Sequence, residues 1–182
     1  MNTCMGVVEV VSIPRGIEAG DAMLKAAHVE LAYAGTVCPG KYVVIVWGCV
    51  AAVEASVAAG SRIAGEKTID SLVIPSVDSR VPRAMNACTE IDRVEAVGTL
   101  EMFSVCAAIH AADAAVKAAS VELIEVRLGR GLGGKSFVVL TGDVASVGAA
   151  VEAGRVVSGA QGLLSDCCVV PHPHSELIRA LL

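Results

Sequence analysis

The first half of the chain alternates between short β-branched runs and longer stretches whose apolar residues have helical spacing. The runs predict strands and the longer stretches predict two helices. In the first helix Asp21 and Lys25 lie on the polar side at i,i+4 spacing, and Gly60 ends the Ala-rich second helix. The predicted elements are strand 6–12, helix 17–28, strand 29–36, strand 42–47, helix 50–60 and strand 72–74. This β-α-β-β-α-β order is typical of a ferredoxin-like module.

The second half of the chain repeats the first. Residues 6–31 align without a gap with residues 98–123, and after a loop of different length the match continues to 73–75 against 169–171. A repeat of this kind indicates one structural unit used twice. Recurrence inside a repeat favours a role in the fold over a role in catalysis. The recurring polar pairs are Glu9/Glu101, Asp21/Asp113 and Lys25/Lys117.

The repeat sets the predicted domain organisation. We predict an α/β chain of the α+β type with two tandem ferredoxin-like modules, residues 1–92 and 93–182. The stretch 78–97, which is richer in charge than its surroundings, is interpreted as a terminal helix of the first module plus the linker.

Composition narrows the class of protein. Hydrophobic residues make up 54% and charged residues 18% of the chain, which excludes a disordered protein and favours further burial between subunits. The net charge of −5 and the 3% of aromatic residues speak against a nucleic-acid partner. The longest charge-free apolar stretch, 42–53, is too short to cross a membrane, and the N-terminus has no basic region typical of a signal peptide. We therefore expect a cytoplasmic protein with reduced thiols and no membrane partner.

Two motifs suggest ligands. Residues 129–136 match the phosphate-binding pattern G-x-x-x-x-G-K-S, but the residues after Ser136 predict a strand where that motif requires a helix. A Gly-rich hairpin turn is the favoured interpretation, with a nucleotide enzyme as the alternative.

A second candidate site is a possible zinc site formed by Cys167, Cys168, His172 and His174. Against it, adjacent cysteines rarely bind one ion, and Pro173 extends the backbone between the histidines. No nucleophile–base–orienter set is apparent, which predicts a non-enzyme.

Cys38 lies at a predicted hairpin tip beside Pro39 and Gly40. One thiolate makes no metal site, but a threefold assembly with this loop at its axis would bring three together. Three thiolates repel one another unless a cation or cluster binds them, and three protein sulfurs would leave one iron of a 4Fe-4S cluster with a non-protein ligand. From spacing alone this remains one alternative among several.

The stretches 21–29 and 113–121, the loops ending in Lys41 and Lys135, and the endings 73–75 and 170–174 resemble the bacterial microcompartment (BMC) shell family. The resemblance covers nearly the whole chain twice, as in the tandem class, whose members form trimers that imitate hexamers. It implies a homotrimeric shell protein that tiles edge to edge with other shell proteins through Lys25 and Lys117. The family's arginine in the I-P-R-P-H ending is replaced by Ser76 and His172, which departs from the tiling pattern.

Within the tandem class the loop 36–41 is similar to that of the shell proteins of propanediol-utilising compartments. There the loop cysteine points into the central pore, and three copies hold a 4Fe-4S cluster. The resemblance therefore implies Cys38 as the cluster ligand, electron or cluster transfer across the shell, and encapsulated redox enzymes as further partners. Arg130 is not explained by the resemblance; at a pore it would favour an anion. A cluster-free pore for small metabolites, with Cys38 as bystander or redox-sensitive gate, is the alternative. The expected pore-loop residues are Val37, Pro39, Gly40, Arg130, Gly131, Leu132 and Gly133.

Overall fold

A computed structural model describes residues 4–160 and 162–182. The chain forms two compact units. The first runs to Val77 and includes the segment Arg130–Gly134, and the second comprises Asp78–Gly129 and Lys135–Leu182. Of the helices in the described ranges, none is both long and apolar enough to cross a membrane.

The first unit has the predicted element order and an antiparallel sheet in the order β2-β3-β1-β4, which is the ferredoxin-like arrangement. Helix α1 begins before the predicted residue 17 because Pro14 fits the first turn, where its missing N–H is not needed. The elements are β1 Cys4–Val10, α1 Ile13–Ala26, β2 Glu30–Val37, β3 Lys41–Gly48, α2 Val50–Ala64, a 3₁₀ turn Gly65–Lys67 and β4 Thr68–Ile74.

The second unit repeats this topology with strands in the order β6-β7-β5-β8 and adds a short helix at each end of the module. Its elements are α3 Arg80–Met85, β5 Ala96–Met102, α4 Val105–Ala118, β6 Glu122–Arg127, β7 Ser136–Gly142, α5 Val144–Gly159, β8 Leu164–Pro171 and α6 Ser175–Leu181. The tandem ferredoxin-like fold is therefore present as predicted.

The helix α3 differs from the sequence interpretation. It follows β4 along the chain, yet it packs against α4 and β6 in the second unit, and the units divide between Val77 and Asp78. Arg80 accounts for this, because its guanidinium donates to the carbonyls of Val116 and Val121 at the carboxyl end of α4 at 3.1 and 2.8 Å. The terminal helix predicted for the first module is thus part of the second.

Each sheet packs its helices against one face, and a shared glycine sets how closely they approach. A Cβ on Gly6 would lie 2.6 Å from the side chains of Val53 and Val57 of α2, and a Cβ on Gly98 would lie 2.6 Å from Val151 of α5. Any larger residue at either position would force helix and sheet apart. The close approach explains why this glycine recurs in both modules.

Candidate functional site

The β2–β3 hairpin turns at Cys38, Pro39 and Gly40, between the paired residues Val37 and Lys41. Gly40 has φ +74°, a left-handed conformation that glycine adopts without strain. Val37 is buried, whereas Cys38 is half-buried with a free thiol. The cysteine therefore lies at the tip of the hairpin, where the sequence predicts it.

The segment 130–134 belongs to the first unit because it lies against this hairpin. The amide of Gly131 donates a hydrogen bond to Cys38 Sγ at 3.4 Å, and Lys41 Nζ donates to the carbonyl of Gly134 at 3.5 Å. Gly134 has φ +94°, and a Cβ there would lie 2.7 Å from the ring of Pro39. The glycines of this loop thus permit a close backbone approach to the thiol.

Arg130 is held by a residue that the sequence analysis does not identify. Its guanidinium donates to the hydroxyl of Tyr33 at 2.8 Å and lies over the Tyr33 ring, 5.3 Å from the centroid. The hydrogen bond to Tyr33 raises the pKa of Arg130 above its ordinary value, so the side chain carries a fixed positive charge. Strand alternation places Tyr33 on the same face of β2 as Gly35 and Val37, but it does not identify Arg130 as the partner of Tyr33.

Cys38 and Arg130 border the same open depression, which brings together most of the expected loop residues. The expected loop residues Pro39, Leu132 and Gly133 are not among its lining residues. The depression is lined by Ile13, Gly35, Thr36, Val37, Cys38, Gly40, Arg130 and Gly131. It combines one thiol, one fixed cation and several backbone groups.

A single chain does not supply enough ligands at this site to bind a metal ion or cluster. Across residues 4–160 and 162–182, no three His, Cys, Asp or Glu side chains lie close enough together to hold a metal ion. Iron–sulfur clusters take several thiolates, and hydrogen bonds from amides to the ligating sulfur are a normal part of their surroundings. The half-exposed Cys38 thiol, which accepts such a bond from Gly131, fits one ligand position; the other ligands would come from elsewhere.

Two of the four candidate zinc ligands, Cys168 and His174, have structural partners. Cys168 Sγ lies 3.1 Å from the Thr99 hydroxyl, and His174 Nδ1 accepts the Glu176 amide at 3.2 Å as the N-cap of α6. In the P-loop-like stretch the residue after Lys135 begins strand β7, so no helix N-terminus faces the loop. The Gly-rich turn is therefore the correct interpretation of that stretch.

The two lysines expected at shell edges lie in different surroundings. Lys25 is exposed and bonds Asp21 at 2.6 Å on the surface of α1. Lys117 bonds the buried Asp113 at 2.5 Å, and that carboxylate also accepts the amide of Asp78 at 2.9 Å. The repeat thus keeps the ion pair while its exposure changes, and the tiling role of both lysines stays a prediction.

The recurring Glu9 and Glu101 also pair with lysines of their own modules. Lys41 Nζ bonds Glu9 at 2.8 Å, and Lys135 Nζ bonds Glu101 at 2.7 Å. The lysine pairing and the Ser165 hydroxyl lower the pKa of Glu101. Both carboxylates are engaged in the modules themselves, as their recurrence indicates.

Comparison with known proteins identifies similar chains. The BMC domain pattern matches residues 4–77 and again 96–173. The bacterial microcompartment shell protein PduT of Citrobacter freundii is 42% identical over 182 residues, which cover 100% of this chain and 99% of that protein. The shell protein PduA of the same organism is 39% identical over 88 residues, covering 48% of this chain and 91% of PduA. The crystal structure of a microcompartment protein from Desulfitobacterium hafniense DCB superposes with a TM-score of 0.87 at 49% identity, covering 98% of this chain and 99% of that one.

Proposed function

Since this chain belongs to the BMC-domain family of microcompartment shell proteins, we propose that it is a non-enzymatic shell subunit whose homotrimer carries a 4Fe-4S cluster at its centre. The observation that carries the proposal is the position of Cys38. Its thiol lies at a hairpin tip, free of any disulfide, and the amide of Gly131 points at it. One cysteine from each of three chains supplies the ligands.

The assembly follows from the duplication. About half of this chain matches PduA over nearly its whole length, and the BMC domain pattern occurs in both halves, so each module here would correspond to one such subunit. A ring of three two-module chains presents six similar edges, which suits flat hexagonal tiling with other shell proteins. Lys25 and Lys117 would lie at those edges, and the protein would reside in the microcompartment shell within the cytoplasm.

The residues around Cys38 are suited to binding a cluster. Three converging thiolates need a cation or cluster between them. In each chain Arg130 also places a fixed positive charge near the Cys38 thiolate. A 4Fe-4S cluster supplies one-electron transfer when it is bound. The chain's own residues hold Cys38 at the tip, orient its sulfur through Gly131 and place Arg130 nearby. Electrons or a cluster would then pass between the cytosol and encapsulated redox enzymes.

The test replaces the thiol alone. Cys38→Ser, purified anaerobically beside the wild-type protein, is expected to lose iron, acid-labile sulfide and visible absorption while remaining a trimer. Cys88→Ser is the matched control, since Cys88 is an exposed free thiol outside these loops, and it should retain the cluster. An unchanged iron content in the Cys38 variant refutes the proposed ligand.

A cluster-free pore is the second candidate, and Arg130 favours it. A fixed cation beside an open depression would attract small anionic metabolites. Wild-type protein that is colourless and iron-free after anaerobic purification, even with iron and sulfide supplied, would support this pore. Cys38 would then be a bystander or a redox-sensitive gate.

A further inference from the structure

Tyr33 lies on the strand that leads to the Cys38 hairpin, and its side chain extends along that strand towards the tip. A Cβ built on Gly35 would lie 2.7 Å from the Tyr33 hydroxyl oxygen and 3.0 Å from the ring atom Cζ, so the ring crosses over Gly35. The two residues are separated by one position on β2 and therefore share a face. Because Gly35 has no side chain, it leaves the space through which the hydroxyl reaches Arg130.

The second module has neither residue at the equivalent positions. Glu125 and Arg127 occupy them on the matching strand, and these two side chains form an ion pair with each other. Residues that recur in both modules maintain the shared fold. Tyr33 and Gly35 occur only in the module that carries the Cys38 hairpin, which indicates a role specific to that hairpin.

Two adjacent residues connect the Tyr33 hydroxyl to the Cys38 sulfur. Arg130 Nη2 donates to the hydroxyl at 2.8 Å, and the amide of the next residue, Gly131, donates to Cys38 Sγ at 3.4 Å. Gly131 has φ +73°, and among the described residues a Cβ built on it would meet no atom within 4 Å. Side-chain packing therefore does not fix this amide, and its position depends on how its neighbours are anchored.

We propose that Tyr33 is a positioning residue for the Cys38 sulfur: it acts through Arg130 to hold the Gly131 amide against that sulfur, and Gly35 makes room for its ring. A hydrogen bond to a ligating sulfur stabilises the negative charge that reduction adds, so it raises the reduction potential of a bound cluster. The effect on a cluster rests on the proposed function. The hold on the Gly131 amide does not, since it is a property of the single chain.

The first experiment follows the Gly131 amide itself in protein freed of iron by a chelator. Tyr33→Phe keeps the ring beneath Arg130 but removes the hydroxyl, so hydrogen–deuterium exchange at this amide, resolved by mass spectrometry to single residues, should become about threefold faster or more. Gly35→Ala should have the same effect, because its methyl group displaces the Tyr33 hydroxyl. Tyr42→Phe is the matched control and should leave the rate unchanged, since Tyr42 packs against the core on the helix side of the sheet.

A combined variant tests whether Tyr33 acts through Arg130. In an Arg130→Met background the Tyr33→Phe change should have no further effect on exchange at Gly131, because the two residues form one connection. Wild-type exchange in the Tyr33 variant overturns the positioning role. Equal and additive effects of the two changes overturn the route through Arg130.

The second experiment measures the reduction potential of the iron-loaded protein by titration followed at visible wavelengths. Tyr33→Phe should shift the potential to more negative values, and Tyr42→Phe should not. An unchanged potential beside faster exchange at Gly131 overturns the effect on the cluster. Wild-type protein that holds no iron overturns the proposed function instead, and the exchange rates still decide whether Tyr33 positions the amide, so the two failures are distinguished.

Discussion

Replacing Arg80 by Met is expected to destabilise the second unit by about 2 to 4 kcal/mol at neutral pH. Arg80 reaches the carboxylate of Asp78 with Nε and Nη2, each at 2.9 Å. The same guanidinium donates to the carbonyls of Val116 and Val121. Both charged side chains are largely buried, so solvent screens the pair only in part.

The magnitude follows from the pKa of Asp78. The hydrogen bonds from Arg80 lower this pKa from 3.8 to about 2, against a smaller opposing effect of burial. This lowering corresponds to about 2 kcal/mol of stability, most of it from the Arg80 side chain, since the smaller effects of the Arg80 backbone amide and of Lys117 remain in the Met variant. Loss of the donor to two buried carbonyls adds about 1 kcal/mol for each.

The pH dependence gives the prediction its sign. Because the pKa of Asp78 is lower in the folded chain, its contribution is fully present above the unfolded pKa of about 4. The contribution is lost as pH falls towards the folded pKa of about 2. The difference in unfolding free energy caused by the Asp78–Arg80 pair should therefore fall by about half between about pH 6 and about pH 3.

Urea unfolding of the full chain measures both effects, at one fixed protein concentration because assembly shifts apparent stability. Arg83→Met is the matched control, since Arg83 is exposed and its side chain makes a long 3.4 Å hydrogen bond to the Cys88 carbonyl. Arg80→Lys keeps the positive charge but lacks the planar guanidinium with its several donors, so it should recover part of the lost unfolding free energy. An Arg80 variant as stable as the control, or a difference that does not shrink in acid, would refute the reasoning.

Other variants test the packing and the loops. Gly98→Val should lower the unfolding free energy by about 1 to 3 kcal/mol, because a Cβ there would lie 2.6 Å from a valine of α5. Urea titration measures this change, and an unchanged midpoint would contradict the close approach. Asp143→Ala should reduce stability and helical circular dichroism, because the carboxylate caps α5 through two backbone amides; an unchanged spectrum contradicts this. Gly134→Ala should speed maleimide labelling of Cys38 in variants lacking other exposed thiols, because the loop must withdraw from the hairpin. Gly148→Ala, which adds a Cβ into open space, should leave that labelling rate unchanged.

Most of the fold could be predicted from sequence because its signals are local. The alternation of β-branched runs and helical stretches gives all six elements of the first module, and the repeat transfers them to the second. The family expected from the stretches 21–29 and 113–121 is confirmed by the BMC domain matches. Strand order is not local, and the sheet order came only from the structure.

The features that sequence did not reveal depend on contacts between distant segments. Helix α3 follows the first sheet in the chain but packs with the second unit, because Arg80 binds carbonyls far along the sequence. Arg130 binds Tyr33 across a longer separation of 97 residues, and no sequence pattern predicts this pair. The position of Cys38 was predictable because a Pro-Gly turn is a local signal.

The two hairpin loops have diverged while the strands beneath them kept their shape. One loop provides a sulfur, and the other provides the amide and the small residues that approach it. A protein with a single module must repeat an identical loop around any ring that it forms. Gene duplication removes that constraint, so an assembly of this chain holds half as many hairpin-tip thiols as modules, and selection can alter either loop independently.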